Sequence, residues 1–315
     1  MVKKIDRREF FQSSAFLGVT VLGTGALSGV DKIYYRKPLS KSTPDIAVAH
    51  GKDAFKNTIK AVESIGGIEK FVKSGDKVVI LPNPQGRIPS TSTNPEVVRA
   101  VVRMCKEAGA REVICTGKHP IKAWQRNGHK KAVESEGGKI FPLSYPTRTN
   151  RKFNRDQYVK IKVPNGKRIR IIEVDRNVIE NDVFITIPIC KQHIGCNFTG
   201  TMKNFMGINL ENTYFHAHDW EHLDNCIVDL NLNLKFTFAV VDGMSILLSN
   251  GPFGPGKTTD PLQVIAGTDR VAIDTYCATK LVGLELEKVP TIIRAHKEGL
   301  GEIDLNKVNI IHIEV

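Results

Sequence analysis

Short apolar runs alternate with amphipathic stretches along most of the chain. KVVILPN, REVICTG and VFITIPI are strand-length runs rich in β-branched residues, and each leads into a polar or glycine-containing sequence. Between such runs, apolar residues recur at helical spacing, as in Val97, Val101 and Cys105 after the helix-starting pair Asn94-Pro95. Because apolar strands that alternate with amphipathic helices are typical of parallel sheets, the pattern predicts an α/β fold.

The alternation predicts two Rossmann-like halves joined by an inserted β-hairpin. Residues 45–150 form the first half and residues 181–315 the second, each with parallel or mostly parallel strands flanked by helices. Residues 151–180 are predicted to be a basic connection followed by the hairpin YVKIKVPNGKRIRIIEV, with Asn165-Gly166 as a tight turn. Besides the helix after Asn94, helices are predicted over residues 53–65, 121–136, 218–232, 268–283 and 288–298.

Three predicted strands lead into unusually polar or glycine-rich loops, which are LPNPQGR, CTGKHP and CKQHIGCNFTG. In parallel sheets, ligands bind beyond the carboxyl ends of the strands, so these loops are expected to border one cleft. A fourth loop, GPFGPGKTTD, contains prolines, which lack the backbone N–H groups that a phosphate cradle needs. It is therefore predicted to be a rigid rim loop rather than a nucleotide-binding loop.

The loops supply imidazole and amine groups suited to acid–base and anion chemistry. His119 and His193 are the candidate catalytic residues, because an imidazole with a pKa near about 6.5 exchanges protons at neutral pH. Lys203 lies between Gly200 and Gly207, and it can form a covalent link or pair with a carboxylate or phosphate. The alternative is that Lys203 is a solvated residue at the start of a helix. The candidate cofactor-binding residues are Lys191, Gly200, Lys203, Asn204, Gly207 and Asp242.

Histidines are densest at His216, His218 and His222. On a helix, His218 and His222 would share one face, four residues apart, as metal-binding pairs do. The sequence therefore indicates a transition-metal site, for nickel, zinc or iron, at these three histidines. Alternatively, Asp219 caps the helix and leaves His216 and His218 in the preceding loop.

The chain is basic, which favours anionic partners. Its formal net charge is +12 and its isoelectric point about 9.4, so a small anionic ligand fits it well. The alternative is a soluble protein with scattered lysines. The six cysteines include no Cys-x-x-Cys pair, which argues against a zinc ribbon and a ferredoxin-type iron–sulfur site. Cys105 and Cys277 are expected to be buried free thiols.

The N-terminal segment has the pattern of an export signal. Arg7-Arg8 precede SSAFLGVTVLGTGALSG, a weakly apolar stretch too short and too rich in small residues for a membrane span. Residues 1–30 are therefore predicted to be a twin-arginine signal read by the export machinery, and residues 31–44 a linker. The alternative is a chance Arg-Arg pair in a short anchor. Export predicts a periplasmic location, and no nucleic-acid partner is expected because no such binding motif is present.

Four segments resemble an exported bacterial family, domain of unknown function family 362. The segments are Thr93-Asn-Pro-Glu-Val-Val, Pro188-x-x-Lys191-x-His193, Gly200-x-x-Lys203-Asn204-x-x-Gly207, and Val241-Asp242-Gly243 with Gly251-Pro252 and Ala272-x-Asp274. Relatives usually have a lysine before Pro82-Asn83, where this chain has Leu81. Some relatives carry ferredoxin-type cysteines, which this chain lacks.

A second resemblance is to the nickel-pincer lactate racemase family. The order His119, His193, Lys203 ten residues later, and then His216 or His218 is similar to the order in that family. The resemblance implies that histidines act as an acid–base pair, that one histidine binds metal and that Lys203 tethers a cofactor. The sequence Gly200-Thr201-Met202 departs from the glycines and arginine that precede the racemase lysine.

Two classes of function fit these features. The first is a cofactor- or metal-dependent isomerase or oxidoreductase that acts on a small anionic substrate, since no Ser-His-Asp or Cys-His signature stands out. The second is a non-catalytic envelope protein that uses the same basic cleft to hold an anion or a redox partner protein. A metal, or a mass excess located at Lys203, would favour the enzyme.

Overall fold

The structure is a computed structural model that describes residues 43–146, 153–234 and 237–315. The predicted signal segment and nearly all of the predicted linker lie outside the described residues. So does most of the basic stretch RTNRKFNR.

Eight strands form a central sheet, and the other strands form three two-stranded sheets. In chain order the strands are β1 (Ile46–His50), β2 (Lys77–Pro82), β3 (Glu112–Gly117), β4 (Lys139–Pro142), β5 (Tyr158–Lys162), β6 (Ile171–Asp175), β7 (Val183–Ile187), β8 (Lys191–His193), β9 (Asn197–Thr199), β10 (Phe238–Gly243), β11 (Ile246–Leu247), β12 (Thr258–Thr259), β13 (Gln263–Gly267) and β14 (Ile310–Glu314). The order in the central sheet is β14-β1-β13-β10-β7-β2-β3-β4.

The central sheet is mostly parallel, which confirms the predicted fold class. Only β13 runs against its neighbours, β1 and β10, within this sheet. The sequence analysis did not predict β13, because QVIAG follows a long proline-rich loop and directly precedes a helix. The two predicted halves share this one sheet, since β1 pairs with both β13 and β14.

The helices agree closely with the apolar pattern. They are α1 (Ala54–Ser64), α2 (Pro95–Glu107), α3 (Ile121–Arg126), α4 (His129–Ser135), α5 (Arg176–Ile179), α6 (Thr201–Asn204), α7 (Asn212–Phe215), α8 (Trp220–Leu232), α9 (Arg270–Tyr276) and α10 (Pro290–Lys297). The Asn94 side chain caps α2 by accepting from the Glu96 N–H at 2.9 Å. The single helix predicted over residues 121–136 is divided at Gly128, whose φ of +77° is left-handed.

Both faces of the sheet are covered by helices. Successive apolar side chains along a strand point to opposite faces, so each face needs a layer that buries it. On β2, Val78 and Ile80 pack into one core with α1, α2 and α4, whereas Val79 and Leu81 pack into the other with α8, α9 and α10. The six cysteines all fall in described residues and are buried as free thiols, which confirms the prediction for Cys105 and Cys277.

The inserted hairpin is present, but Asn165-Gly166 does not join its two strands directly. Strands β5 and β6 pair from Tyr158↔Asp175 to Lys162↔Ile171, so residues 163–170 form a longer loop. The carboxylate of Asp229 on α8 accepts N–H groups from Lys167, Arg168 and Ile169 at 2.5 to 2.8 Å. Within this loop the Gly166 N–H donates to the Val163 carbonyl at 3.0 Å, which closes a local turn. The contact with Asp229 on the distant helix α8 holds the residues that follow this turn.

Candidate functional site: a lysine cluster at the sheet edge

The candidate site lies where four neighbouring parallel strands end. Strands β10, β7, β2 and β3 are adjacent in the sheet, and their carboxyl ends are at Gly243, Ile187, Pro82 and Gly117. The loops that follow these strands carry the predicted site residues. The edge where these strands end is the usual ligand-binding position in an open α/β sheet.

Lys191 is fully buried beside this edge. Its Nζ donates to the carbonyl oxygens of Thr91 at 2.8 Å and Pro252 at 3.2 Å, and to Oε1 of Gln85 at 3.3 Å. Burial, together with the positive charge of Lys203, lowers the Lys191 pKa to about 7. The residue belongs to the short hairpin of β8 and β9 rather than to the open loop that the sequence predicted.

Lys118 is a site residue that the sequence analysis missed in favour of its neighbour His119. It directly follows β3, and its backbone N–H donates to the Gly207 carbonyl at 2.9 Å. The side chain is 6% exposed, and its Nζ has no hydrogen-bond partner among the described residues. Burial lowers the Lys118 pKa to about 7, opposed by the charge of Glu211 and assisted by that of Lys203. Its position at the carboxyl end of a parallel strand is the signal that could have identified it.

Lys203 joins these two lysines into one electrostatic group, called here the lysine cluster (Lys118, Lys191 and Lys203). It lies on α6 and is partly exposed, with its Nζ 3.3 Å from the Met206 sulfur. Its charge acts on Lys118, Lys191 and His193. The loop after β3 and the segment that carries Lys203 meet at this edge, since the Lys118 N–H donates to the Gly207 carbonyl. That all the predicted loops build one ligand cavity stays a prediction.

The segment that carries Lys203 is held in place by Asp274. Its buried carboxylate accepts the N–H groups of Thr201 at 2.6 Å and Met202 at 3.0 Å, at the start of α6. A Cβ on Gly200 would lie 2.4 Å from Oδ1 of Asp274, so a side chain there would displace this contact. Gly200 thus allows the Asp274 carboxylate to approach the backbone.

His193 is buried next to the cluster and is held in one tautomer. Its Nδ1 accepts the Gly195 N–H at 2.9 Å, so the neutral ring carries its proton on Nε2. Burial lowers the His193 pKa to about 2, and the charges of Lys203, Lys191 and His216 contribute. The ring is therefore a neutral hydrogen-bond donor at physiological pH.

His119 also stays neutral near pH 7. Burial lowers the His119 pKa to about 4, with further contributions from Lys191, Lys118, His129 and Arg126. The sequence predicted that both imidazoles titrate near neutrality, but burial, reinforced by neighbouring cations, lowers both pKa values. The catalytic roles of His119 and His193 stay predictions.

Two predicted cofactor-binding side chains are bonded to the fold itself. Asn204 Nδ2 donates to the Leu81 carbonyl at 2.8 Å and to Thr186 Oγ1 at 2.9 Å. Asp242 accepts the N–H groups of Asn94 at 2.7 Å and Met244 at 3.0 Å. Burial raises the Asp242 pKa to about 6. These contacts position the loops around the cluster, and direct contact with a ligand stays a prediction for both residues.

The three histidines predicted to bind metal lie beside the cluster. Asp219 caps α8 by accepting the His222 N–H at 2.8 Å, so His216 and His218 precede the helix, as the alternative interpretation stated. The ring centroids of His218 and His222 are 4.5 Å apart. However, Nε2 of buried His222 is 3.0 Å from the Tyr214 carbonyl and 3.3 Å from the Cys226 sulfur.

This arrangement does not fit a metal centre as it stands. The Tyr214 carbonyl can only accept, so His222 uses Nε2 to donate a proton and does not offer it as a ligand. Within the ranges that the structure describes, no group of three or more His, Cys, Asp or Glu residues is placed to hold a metal ion. Metal binding at His216, His218 and His222 stays a prediction, and with the ring as placed His222 could offer only Nδ1 as a ligand.

The family described as domain of unknown function (DUF362) matches residues 78–279, which is more than half of the chain. The chain belongs to this family. The matched range of the DUF362 family contains the whole lysine cluster and both candidate catalytic histidines.

Two individual proteins show what this DUF362 chain is similar to. It is 25% identical over 248 residues to the thylakoid-associated protein sll1697 of Synechocystis sp., covering 76% of this chain and 73% of that protein. It is also similar to the lactate racemase apoprotein from Thermoanaerobacterium thermosaccharolyticum, with a TM-score of 0.44 and 12% identity, over 77% of this chain and 58% of that one. A structural similarity this distant transfers no ligand and no residue role. No helix in the described ranges combines the length and apolarity needed to cross a membrane.

Proposed function

We propose that the lysine cluster binds a small anionic ligand and that the protein is a cofactor-dependent enzyme, an isomerase or oxidoreductase, acting on that ligand. The observation that carries the proposal is the Nζ of Lys118, which is buried without a hydrogen-bond partner in the described residues, in the field of Lys203. A buried ammonium group without a partner is costly, and an anion supplies the missing charge and acceptors.

The surrounding protein groups do not supply a counter-charge for the lysine cluster. Among the described residues, no carboxylate is within ion-pair distance of a cluster lysine. Glu211 and Asp224 affect the cluster only at longer range, through Lys118 and Lys203 respectively. Lys191 is bonded to neutral oxygens, which satisfy its hydrogen bonds but not its charge.

The same groups are suited to proton chemistry on a bound carboxylate or phosphate. Lys118 and Lys191, with pKa values near 7, are present partly as neutral amines and can take up or release a proton at neutral pH. His193 can donate from Nε2 to an oxyanion that develops on the ligand. A cofactor held at Lys203 would supply the electrophile or hydride acceptor that these reaction classes require.

A binding experiment with matched variants tests the proposal. We expect the intact mature protein to bind carboxylates or phosphates by calorimetry, and Lys118→Met to weaken binding at least about tenfold. Lys122→Met is the control, because Lys122 is an exposed lysine near the same loop. Equal affinities in all three proteins would contradict the proposal, as would the lack of any anion binding.

The second candidate is a non-catalytic envelope protein that holds an anion or a redox partner. The observation in its favour is that Asn204 and Asp242 are bonded to backbone groups, which makes them positioning residues. Purification from the natural host separates the candidates. A mass excess on the Lys203 peptide, or turnover of the bound anion, supports the enzyme, whereas a colourless chain that releases its anion unchanged supports the binding protein.

Export through a twin-arginine signal in residues 1–30 is part of the same proposal. Its support is the Arg7-Arg8 pair with the small-residue stretch that follows it. The relative from Synechocystis is named as thylakoid-associated, which is compatible with a protein that acts at or beyond a membrane. We expect the Arg7→Lys, Arg8→Lys double variant to remain in the cytoplasm, as measured by fractionation against the unchanged protein. Equal export of both proteins would contradict the signal assignment.

A further inference from the structure

Three of the most exposed large apolar side chains in the described ranges lie on segments that carry or contact residues of the candidate site. They are Ile194, Trp220 and Phe253, which are 69%, 56% and 61% exposed. Each is connected to a residue of the site through the backbone or a close packing contact. They are called here the apolar rim.

Ile194 and Trp220 are fixed to the site through the turn of the β8–β9 hairpin. Ile194 directly follows His193, and Gly195 donates its N–H to Nδ1 of His193. A Cβ on Gly195 would lie 2.7 Å from the Trp220 ring, so the indole lies close against this glycine. The hairpin thus buries Lys191 and His193 while it presents Ile194 and the indole to solvent.

Phe253 is fixed to the site through Lys191. The carbonyl of Pro252, the residue before it, accepts a hydrogen bond from Lys191 Nζ at 3.2 Å. The same loop is joined to the hairpin, because the Ile194 N–H donates to the Gly251 carbonyl at 3.2 Å and Gly251 N–H donates to Gln192 Oε1 at 2.8 Å. The apolar rim therefore belongs to the same two segments that enclose the buried amine.

We infer that the ligand of the lysine cluster is amphipathic, with a carboxylate or phosphate group in the cluster and an alkyl or aryl body against the apolar rim. The inference rests on the proposed function, because it extends the same site outward. Exposed apolar side chains on the segments that enclose buried cations suit a ligand whose charged and apolar parts lie next to each other. Such a ligand covers the apolar rim only while its anionic group is held.

Two homologous series of soluble anions test the inference by calorimetry with the full mature chain. The probes are straight-chain carboxylates from acetate to octanoate and alkyl phosphates from methyl to octyl, all kept below micelle-forming concentrations. With the intact protein, affinity should rise about twofold or more per added methylene, because a fully buried methylene contributes about 0.8 kcal/mol. In Trp220→Ala and Phe253→Ser, the dependence on chain length should flatten while the affinity for the shortest anion stays unchanged.

Ile171→Ser is the matched control, since Ile171 is 62% exposed but lies on β6 of the other hairpin. It should retain the full dependence on chain length. Thermal unfolding of each variant checks folding, and Phe253→Ser provides a second route if Trp220→Ala is unstable.

The outcomes separate this inference from the proposed function. If affinity in the intact protein does not depend on chain length but binding still needs Lys118, the inference of an amphipathic ligand is overturned. Anion binding at the lysine cluster then still stands. If no anion binding depends on Lys118, the proposed function itself is overturned. A third outcome is that the ligand-free protein binds neutral lipid vesicles, and that Trp220→Ala loses this binding but Lys118→Met keeps it. This outcome would assign the apolar rim to membrane binding and overturn the inference.

Discussion

Arg270 and Lys118 are both buried cations, but only one is satisfied by the fold. Arg270 donates to the Asn231 carbonyl at 3.2 Å, to Asn231 Oδ1 at 2.8 Å and to the Leu234 carbonyl at 3.4 Å. Asp269 and Asp274 place negative charge nearby. Lys118 Nζ has no hydrogen-bond acceptor in the part of the chain that the structure describes. Within that part, only the more distant charge of Glu211 and the Tyr145 ring, with its centroid 6.0 Å away, favour the Lys118 ammonium. The contrast distinguishes a buried cation that stabilises the fold from one that lacks acceptors and is a candidate to bind a ligand.

The largest expected effect is on stability at the satisfied cation. Arg270→Met should lower the free energy of unfolding by about 3 kcal/mol, because the Asn231 and Leu234 acceptors lose their donor and Asp269 and Asp274 lose a compensating charge. Urea denaturation followed by circular dichroism measures the change. Arg176→Met is the control, since Arg176 is an exposed arginine paired with Glu180, and it should change stability by less than about 0.5 kcal/mol. Similar losses in both variants would remove the contrast.

An intermediate effect is expected from pH. The folded-state pKa values of Lys118 and Lys191 are about 7, lowered from the usual value of 10.5 by burial. The unfolded chain therefore binds more protons between these values, so the stability of the ligand-free protein should rise as pH increases from about 7 towards 10. Anion affinity should fall over the same range, because the amines lose their charge.

Thermal unfolding and calorimetry in a series of buffers would record both trends. In Lys118→Met, the increase in stability with pH should be smaller, because one titrating group is gone. A stability that is independent of pH above 7 in the unchanged protein would show that the two lysines keep ordinary pKa values.

The smallest expected effect is the electrostatic coupling within the lysine cluster. Lys203→Met should raise the pKa values of Lys118 and Lys191, since the charge of Lys203 lowers both. The pH dependence of acylation of each amine, located by peptide mapping, measures the shift. Lys130→Met, which removes a lysine paired with Glu134 on α4, is the control. Unchanged reactivity profiles in Lys203→Met would show that the three amines do not form one group.

The sequence was sufficient to predict features that depend on residues close together along the chain. Asn94 caps α2 and Asp219 caps α8, because capping depends on a side chain and the amides two or three residues later. The buried strands β2, β3 and β7 were predicted from their apolar composition, and their parallel arrangement from the helices between them. Together these features placed the candidate site at the carboxyl ends of these strands.

The features that were missed depend on tertiary contacts. Lys118 is buried where the β3 loop meets Gly207, a residue 89 positions later. The carbonyl groups that surround Lys191 come from residues 91 and 252, and no local pattern indicates either contact. Strand β13 pairs antiparallel with β10 and with β1, and β1 comes from the other end of the chain. Such contacts are determined by the assembled fold and cannot be predicted from the spacing of residues along the sequence.

The most direct test measures two quantities on Lys118→Met, its stability without ligand and its affinity for anions. Replacing a buried, unsatisfied ammonium by an apolar group of similar volume should raise the free energy of unfolding by about 1–3 kcal/mol at pH 7. The same substitution should weaken anion binding at least about tenfold. A variant that is less stable than the unchanged protein, yet binds anions with full affinity, would contradict the account.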